Sequence, residues 1–177
     1  MIALSPTPVL ETTRLILRAP QGGDYEPWAA FATSDRARYI GGPHDRQGAW
    51  RAWGHAIGHW AMRGYGMFVF ADKTAPDAPL GMTGACYPEG WPEREIGWTV
   101  WSTMDEGKGL VREAALAARD DAFTTLGWDT AVSYIHPENA RSVALAERLG
   151  ATRDRTAACP DGKSCLVYRH AKPEVSA

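Results

Sequence analysis

The sequence predicts a single α+β domain, a mixed α/β fold in which helices pack on a mostly antiparallel central sheet. Two observations support this fold class. Short apolar segments between residues 66 and 101 are separated by turn-rich loops too short for a helical crossover, which is typical of an antiparallel meander. Residues 110–149 then alternate helical periodicity with a buried strand. A meander followed by a helix-strand-helix unit gives a mixed sheet covered by helices.

The first elements are a strand and two helices. Leu15–Arg18 is a short apolar strand, and Asp24 is the expected N-cap of a helix that contains Trp28 and Phe31. A second helix is predicted over 45–62, where four large apolar side chains recur at steps of three and four residues and so share one face. They are Trp50, Trp53, Ile57 and Trp60.

The remaining elements complete one domain. The strands of the meander are Gly66–Ala71, Leu80–Tyr87 and Glu95–Trp101. Leu110–Leu126 is an amphipathic helix that Gly127 ends. Thr130–Ile135 is a buried strand, Asn139–Leu149 is a further helix, and the tail forms strands around Pro160–Gly162. We expect an ordered domain over 9–170 with flexible ends at 1–8 and 171–177.

Composition and charge exclude several classes of protein. The 177 residues carry 19 basic and 21 acidic side chains, a formal net charge of −2, so no basic surface for nucleic acid or an anionic membrane is expected. No apolar run is long enough to span a membrane, and we expect a cytoplasmic protein. Cys86, Cys159 and Cys165 lack the close paired spacing of zinc or redox motifs, and we expect three reduced thiols.

A glycine-containing loop lies between a strand and a long helix. Glu106-Gly107-Lys108-Gly109 precedes the helix that begins at Leu110, where unpaired N–H groups and the helix dipole favour an anion. Glycine at both positions lets the main chain approach a diphosphate closely. A P-loop requires Gly at Ser102 and Ser or Thr at Gly109, and a dinucleotide fingerprint requires a small residue at Arg112, so neither fits. An ordinary tight turn stays the alternative for this loop alone.

Three segments together resemble the GNAT N-acetyltransferases. The strand, glycine loop and helix with Arg112-Glu113-Ala114 are similar to their acetyl-CoA-binding core. The segment 10–18, LETTRLILR, resembles the opening of the branch related to ribosomal-protein N-terminal (RimJ/RimL-type) acetyltransferases, and 136–150 resembles its last core helix. These segments span nearly the whole chain.

The resemblance implies a fold and an activity. The fold has a splayed pair of strands formed by its fourth and fifth strands, here 95–101 and 130–135. Gly97 is expected to form a bulge that opens this pair. The activity is acetyl transfer from acetyl-CoA, the only cofactor expected and without a metal, to a primary amine. The acceptor is a protein N-terminus or a small molecule, and a homodimer is compatible with the family. The cofactor-binding residues implied are Trp98, Thr99, Val100, Gly107, Lys108, Gly109, Leu110, Val111, Asn139 and Ser142.

Two positions depart from the family pattern. Met104 stands where relatives often have Gln or Arg, so diphosphate binding has to depend on main-chain amides. Ala146 stands where many relatives have the Tyr that protonates the departing thiolate. Ser142 is our candidate donor because it shares a helix face with Asn139 and Ala146. In the alternative reading, Asn139 is an N-cap and Ser142 satisfies local main-chain groups.

A carboxylate is needed because the attacking amine has to lose a proton at neutral pH. Glu95 opens the strand that flanks the cofactor and is our candidate general base, with a solvated strand-edge Glu as the alternative. Trp53, Trp91 and Trp101 are candidates for the acceptor pocket, although tryptophans at helical spacing are more often core.

Two features of the sequence bear on other functions. A noncatalytic acyl-CoA sensor or interaction module on the same fold is the alternative function, because Met104 and Ala146 both lack the usual chemistry. His55 and His59 are four residues apart on a helix, but Ala56 stands where a zinc protease has Glu. That pair is therefore expected to be structural or at the surface.

Overall fold

A computed structural model of the chain describes residues 6–162 and 164–173. Within these residues four α-helices pack on one eight-stranded sheet. The helices are α1 Tyr25–Ala32, α2 Arg46–Arg63, α3 Leu110–Thr124 and α4 Ala140–Arg148. The strands are β1 Leu10–Glu11, β2 Leu15–Arg18, β3 Met67–Asp72, β4 Pro79–Cys86, β5 Glu95–Val100, β6 Ala131–Ile135, β7 Thr152–Asp154 and β8 Leu166–His170. The predicted terminal flexibility at 1–5 and 174–177 lies outside the described residues.

The sheet has the predicted mixed, mostly antiparallel topology. Its strand order is β1-β2-β3-β4-β5-β6-β8-β7, and every neighbouring pair is antiparallel except β5 and β6. The parallel pair is joined at a single register position, Glu95 opposite Val132, after which the strands part. The splayed pair implied by the resemblance is therefore confirmed.

The expected bulge at Gly97 is wrong. The register between β4 and β5 runs unbroken from Gly81 opposite Val100 to Cys86 opposite Glu95. The strands part on the β6 side instead, where the hydroxyl of Ser133 donates to the carbonyl oxygen of Ile96 at 2.6 Å. A side-chain hydroxyl thus takes a position that a main-chain N–H occupies in a regular ladder.

The core lies on both faces of the sheet. Helices α1 and α2 bury Trp28 and Trp53 against β3 to β5 on one face. Helix α3 packs its alanine-rich side on the other face, against residues that include Leu15, Leu17 and Phe70. Small side chains at the α3 contact let the helix approach the sheet closely.

The prediction that Trp50 shares the buried face of α2 is wrong. Its side chain is 62% exposed and makes an edge contact with the ring of Tyr25. The buried positions of this helix are Ala49, Trp53, His59 and Trp60. The step of three residues from Trp50 to Trp53 turns Trp50 to the border of that face, where solvent reaches it. Among the described residues, no helix is long and apolar enough to cross a membrane.

The expectation of three reduced thiols is also wrong. Cys159 and Cys165 form a disulfide, with their Cα atoms 5.9 Å apart, and Cys86 is a free cysteine. The short turn that begins at Pro160 reverses the chain and brings the two cysteines together. Three cysteines can form one disulfide and leave one free thiol. The prediction from residue spacing did not consider this case.

A buried ion pair connects the end of β2 to the start of α1. Asp24 is 2% exposed, and its carboxylate accepts from both terminal nitrogens of Arg18, at 2.8 and 2.9 Å, and from the main-chain N–H of Gln21 at 2.7 Å. Asp24 is the N-cap of α1 by position, as predicted, although its side chain makes no cap hydrogen bond to that helix. Its carboxylate instead fixes the strand-to-helix connection.

We expect Asp24→Ala to lower the free energy of unfolding by about 3–5 kcal/mol, because it leaves the guanidinium of Arg18 buried without its charge partner. The measurement is urea denaturation followed by tryptophan fluorescence. Asp129→Ala is the matched control, since that side chain is 94% exposed, and it is expected to change stability by less than about 0.5 kcal/mol. Equal stability of the two variants contradicts this account.

Candidate active site

A cavity of about 480 Å³ opens where β5 and β6 part. It extends from the face of the sheet covered by α1 and α2, through the gap between the two strands, to the start of α4. Glu95, Trp98 and Ser142 all line it. A gap of this kind brings main-chain groups, a carboxylate and a hydroxyl to one concave surface, which is the usual setting of a small-molecule site.

The side chains of β5 divide between the two sides of the sheet. Thr99 lies on the α1 and α2 side, where its hydroxyl accepts from the indole N–H of Trp101 at 3.1 Å. Glu95 and Gly97 share that side because side chains alternate along a strand. Ile96 packs against α3, and the indole N–H of Trp98 donates to the hydroxyl of Ser142 at 3.2 Å. The strand therefore presents the carboxylate of Glu95 to the side of the sheet covered by α1 and α2, and the indole of Trp98 to the opposite side.

The main-chain groups of β5 also alternate. The N–H of Trp101 donates to Leu80 in β4, whereas the carbonyls of Ile96 and Val100 accept from Ser133 and from Arg36 on the β6 side. By the same alternation, Trp98 and Val100 direct main-chain groups toward the gap, and those of Thr99 face β4. Of the three residues predicted to contact the cofactor through the main chain, Trp98 and Val100 have the suitable orientation, and Thr99 contributes its side chain to the cavity wall.

Glu95 has the environment of a general base. Its carboxylate accepts from the indole N–H of Trp91 at 2.7 Å. Burial raises the pKa of Glu95 to about 7, and the hydrogen bond from Trp91 opposes that rise because it stabilises the ionised form. A carboxyl group with a pKa near neutrality is half ionised at physiological pH and is suited to accept a proton.

The glycine loop has the conformation that an anion site requires. Gly107 and Gly109 have φ angles of +74° and +76°, and a Cβ at Gly107 meets no atom within 4 Å. The main-chain N–H groups of residues 107–109 donate to no protein acceptor within the described parts of the chain. Gly109 is the N-cap of α3 and offers no side chain to the N–H groups of Leu110 and Val111. The loop therefore points several donors and a helix N-terminus outward.

Two ionic clusters hold this loop in place. Glu113, in the first turn of α3, accepts from the hydroxyl of Thr12 at 2.6 Å and from the side chain of Arg14 at 2.7 Å, and Arg14 also donates to the carbonyl of Lys108. On the other side, the carboxylate of Glu106 lies between Arg36 and Arg141, at 2.8 and 2.5 Å.

These contacts connect the loop to β2 and to the start of α4. Lys108 pairs with Asp105 and is about half exposed, and Met104 is 76% exposed. Lys108 is the positively charged side chain of the loop itself, and the guanidinium of Arg14 is a second positive charge close to Gly109.

At the start of α4, the alternative interpretation is confirmed for Asn139 as an N-cap, whereas the hydroxyl of Ser142 contacts Trp98 and no local main-chain group among the described residues. Asn139 is the N-cap, and its side-chain oxygen accepts from the main-chain N–H of Ser142 at 3.2 Å. Both residues also line the cavity. The hydroxyl of Ser142 accepts from Trp98, so its proton is available to a group in the gap. Ala146 is fully buried, and the position of the usual Tyr provides no proton donor.

Of the three tryptophans predicted for the acceptor pocket, one lines the cavity and two lie in the core. Trp91 lines the cavity and touches Glu95. Trp53 and Trp101 are 3% and 7% exposed and pack with Trp28 in the core behind the cavity wall. Trp28 reaches the cavity and was not predicted as a site residue. Sequence periodicity identifies a buried helix face but not which of its side chains ends at a cavity.

Other lining residues were missed for similar reasons. Tyr134 lies on β6, its hydroxyl accepts from the N–H of Glu93, and burial raises its pKa to about 12. His55 lines the cavity, whereas His59 is held by Tyr65 and Tyr87 in a structural role. No cluster of three or more potential metal ligands occurs among residues 6–162 and 164–173.

This geometry is typical of one class of enzyme. Unpaired main-chain N–H groups at a helix N-terminus, a gap between parted parallel strands and a half-buried carboxylate are together expected of an acyl-CoA-dependent transferase, although residues 107–111 do not line the cavity itself. The acetyltransferase (GNAT) domain family matches residues 14–152. The chain belongs to this family.

Solved structures agree with this assignment. An acetyltransferase from Agrobacterium tumefaciens shares 36% identity, with a TM-score of 0.87 over 94% of this chain and 95% of that one. RimL, a ribosomal L7/L12 alpha-N-protein acetyltransferase solved with coenzyme A, is 16% identical, with a TM-score of 0.71 over 93% and 98%. The ribosomal-protein-S5-alanine acetyltransferase of Vibrio fischeri is 14% identical, with a TM-score of 0.66 over 97% and 100%. The last two show likeness of fold.

We expect Trp91→Phe to raise the pKa of Glu95 further above 7, because the variant removes the hydrogen bond that stabilises the carboxylate. The measurement is the ¹³C shift of the Glu95 carboxyl carbon as a function of pH. Trp50→Phe, at an exposed tryptophan, is the control and is expected to leave the titration unchanged. An unchanged or lowered pKa in Trp91→Phe contradicts the assignment.

Proposed function

We propose that the protein transfers an acetyl group from acetyl-CoA to a primary amine by direct attack of the amine on the thioester. The observation that carries this proposal is the carboxylate of Glu95, half-buried beside the point where β5 and β6 part and facing the cavity. Its pKa of about 7 suits a base that accepts the proton of an alkylammonium group. The rest of the site supplies positions for the cofactor.

The cofactor is proposed to bind along the gap and the glycine loop. The diphosphate accepts hydrogen bonds from main-chain N–H groups of residues 107–111, and Lys108 adds a positive charge. The pantetheine arm runs between β5 and β6, beside the main chain of Trp98 and Val100 and close to Asn139 and Ser142. RimL, which has the same fold, was solved in complex with coenzyme A, and this supports coenzyme A as the ligand.

The reaction follows from these positions. Glu95 accepts a proton from the ammonium group, directly or through water, and the amine nitrogen then forms a bond to the thioester carbonyl carbon. Negative charge develops on the carbonyl oxygen and is stabilised by a main-chain N–H of β5. The carbon-sulfur bond breaks, and the hydroxyl of Ser142 is the proposed relay: it gives its proton to the departing thiolate of coenzyme A and takes up the second proton of the nitrogen, while the first proton stays on Glu95 until water removes it.

A noncatalytic acyl-CoA sensor is the second candidate function. It is favoured by one observation, the burial of Ala146 where many relatives have a Tyr donor. The cytoplasmic location, the homodimer and the identity of the acceptor stay predictions. Turnover separates the two functions, because a sensor binds coenzyme A without releasing thiol in the presence of any amine.

We expect Glu95→Gln to lower kcat for amine acetylation by about 100-fold or more, because glutamine cannot accept the proton. In the unmodified protein activity rises as pH increases through about 7, since the base has to be ionised, and this inflection is absent in the variant. Thiol release measures the rate. Glu89→Gln, at a fully exposed side chain in the preceding loop, is the control. Full activity of Glu95→Gln excludes the proposed base.

We expect Gly107→Ala to weaken coenzyme A binding at least about 10-fold, because the new methyl group occupies the space through which the diphosphate approaches. Gly127→Ala is the matched control. Gly127 also has a positive φ and open space, so both variants carry the same backbone strain, but Gly127 lies beyond the other end of α3. Isothermal titration calorimetry gives the affinity. Equal losses in the two variants contradict the diphosphate site.

A further inference from the structure

We infer that the acceptor is a primary amine whose substituent is apolar and about the size of an aromatic ring, and that a second positive charge on the acceptor is disfavoured. This inference rests on the proposed function, since it assigns the amine to one part of the cavity. That part, called here the acceptor chamber, lies between the Glu95 side of β5 and helices α1 and α2. The gap between β5 and β6 is left to the cofactor.

The sheet wall of the acceptor chamber is apolar. Met67 and Met82 lie on β3 and β4, in register with Gly97 and Thr99 through the sheet, and all four line the cavity. A Cβ at Gly97 comes within 3.4 Å of the methyl group of Met67 and 3.8 Å of the carboxylate of Glu95. Glycine at this position therefore leaves room directly beside the proposed base. Methionine side chains adapt to a flat apolar ligand.

The helical wall and the rim are apolar as well. Ala52 and Ala56 of α2 line the chamber with the ring of Trp28 from α1. Two small side chains beside an indole make a flat surface on which a ring can pack. Trp91 closes the side next to Glu95, and Ile40 lies at the rim, where it is 42% exposed. An apolar substituent thus finds contacts on the sheet wall, on the helical wall and at the rim.

Charge in the chamber limits the acceptor to one ammonium group near the base. Glu95 is the only carboxylate among the described residues that line the cavity. The lining side chains with an ionisable nitrogen are His55 and His136, and neither can carry the negative charge that attracts a cation. A second ammonium group has to leave water without a partner, and desolvating an unpaired charge is costly. Polyamines and other polycations are therefore poor acceptors.

The test compares acceptors with the unmodified protein and acetyl-CoA. We expect kcat/KM for 2-phenylethylamine to exceed that for ethanolamine and for putrescine by about 30-fold or more, because burial of a ring contributes to affinity. Two peptides, one with N-terminal Phe and one with N-terminal Ser, distinguish a free aralkylamine from a peptide N-terminus as the source of the same chemistry. Preference for either apolar form supports the inference.

Substitutions in the chamber provide a second readout. We expect Ala56→Glu, which adds a carboxylate to the helical wall, to reduce the ratio of kcat/KM for 2-phenylethylamine over putrescine at least about 10-fold. Ala61→Glu is the matched control, because Ala61 lies on the exposed side of the same helix and its substitution leaves the ratio unchanged. A ratio is insensitive to the fraction of folded enzyme, so partial loss of stability does not obscure the result.

The outcomes are distinguishable from failure of the proposed function. If no amine is acetylated, the proposed function itself is wrong. If amines are acetylated but ethanolamine or putrescine is used as well as 2-phenylethylamine, the acetyltransferase stands and the inference about the acceptor is overturned. An Ala56→Glu variant with an unchanged ratio also overturns it, because the acceptor then does not occupy the chamber.

Discussion

The parting of β5 and β6 is the constraint on which the rest of the site depends. One parallel pair holds the strands together at Glu95 and Val132, and Ser133 then satisfies Ile96 through its hydroxyl. Beyond that point the main chain of β5 has no strand partner on this side, which leaves donors and acceptors for a ligand. Glu95 stands at the last paired position, so the same feature that opens the gap also buries the carboxylate beside it.

Ion pairs hold the segments that surround this gap. Glu113 joins the first turn of α3 to Thr12 and Arg14, and Glu106 joins the glycine loop to Arg36 and Arg141. Each carboxylate bridges segments far apart in the chain, so the loop is fixed before any anion arrives. If the loop binds the diphosphate as proposed, this preorganised array of donors lowers the ordering cost and makes a side chain at Met104 unnecessary.

Much of the fold could be predicted from local pattern. The strand at Leu15–Arg18 has both expected bounds, the third helix begins at Leu110 as expected but ends at Thr124 rather than Leu126, and the strand that ends at Ile135 begins one residue later than expected. The agreement is close because periodicity and glycine positions are local properties. The disulfide and the exposed face of Trp50 could not be predicted, since both depend on how distant segments meet.

The site residues also divide into those that local sequence pattern indicates and those that only the folded chain brings together. Glu95 and the glycine loop could be proposed as site residues from their positions relative to strand and helix ends, together with the resemblance to the family. Trp28 and Tyr134 were missed because only the assembled sheet and helices bring them to one cavity. The contact between Trp91 and Glu95 joins a loop to a strand, and residue spacing carries no signal for it.

The most direct test of this account is a titration of the ¹⁵N-labelled protein with coenzyme A, followed by ¹H–¹⁵N correlation spectra. The account predicts that the amide signals of Gly107, Lys108 and Gly109 shift downfield as they donate to phosphate, together with those of Trp98 and Val100 in the gap. Saturating coenzyme A that leaves these five amides unshifted, or shifts only residues elsewhere on the surface, contradicts it.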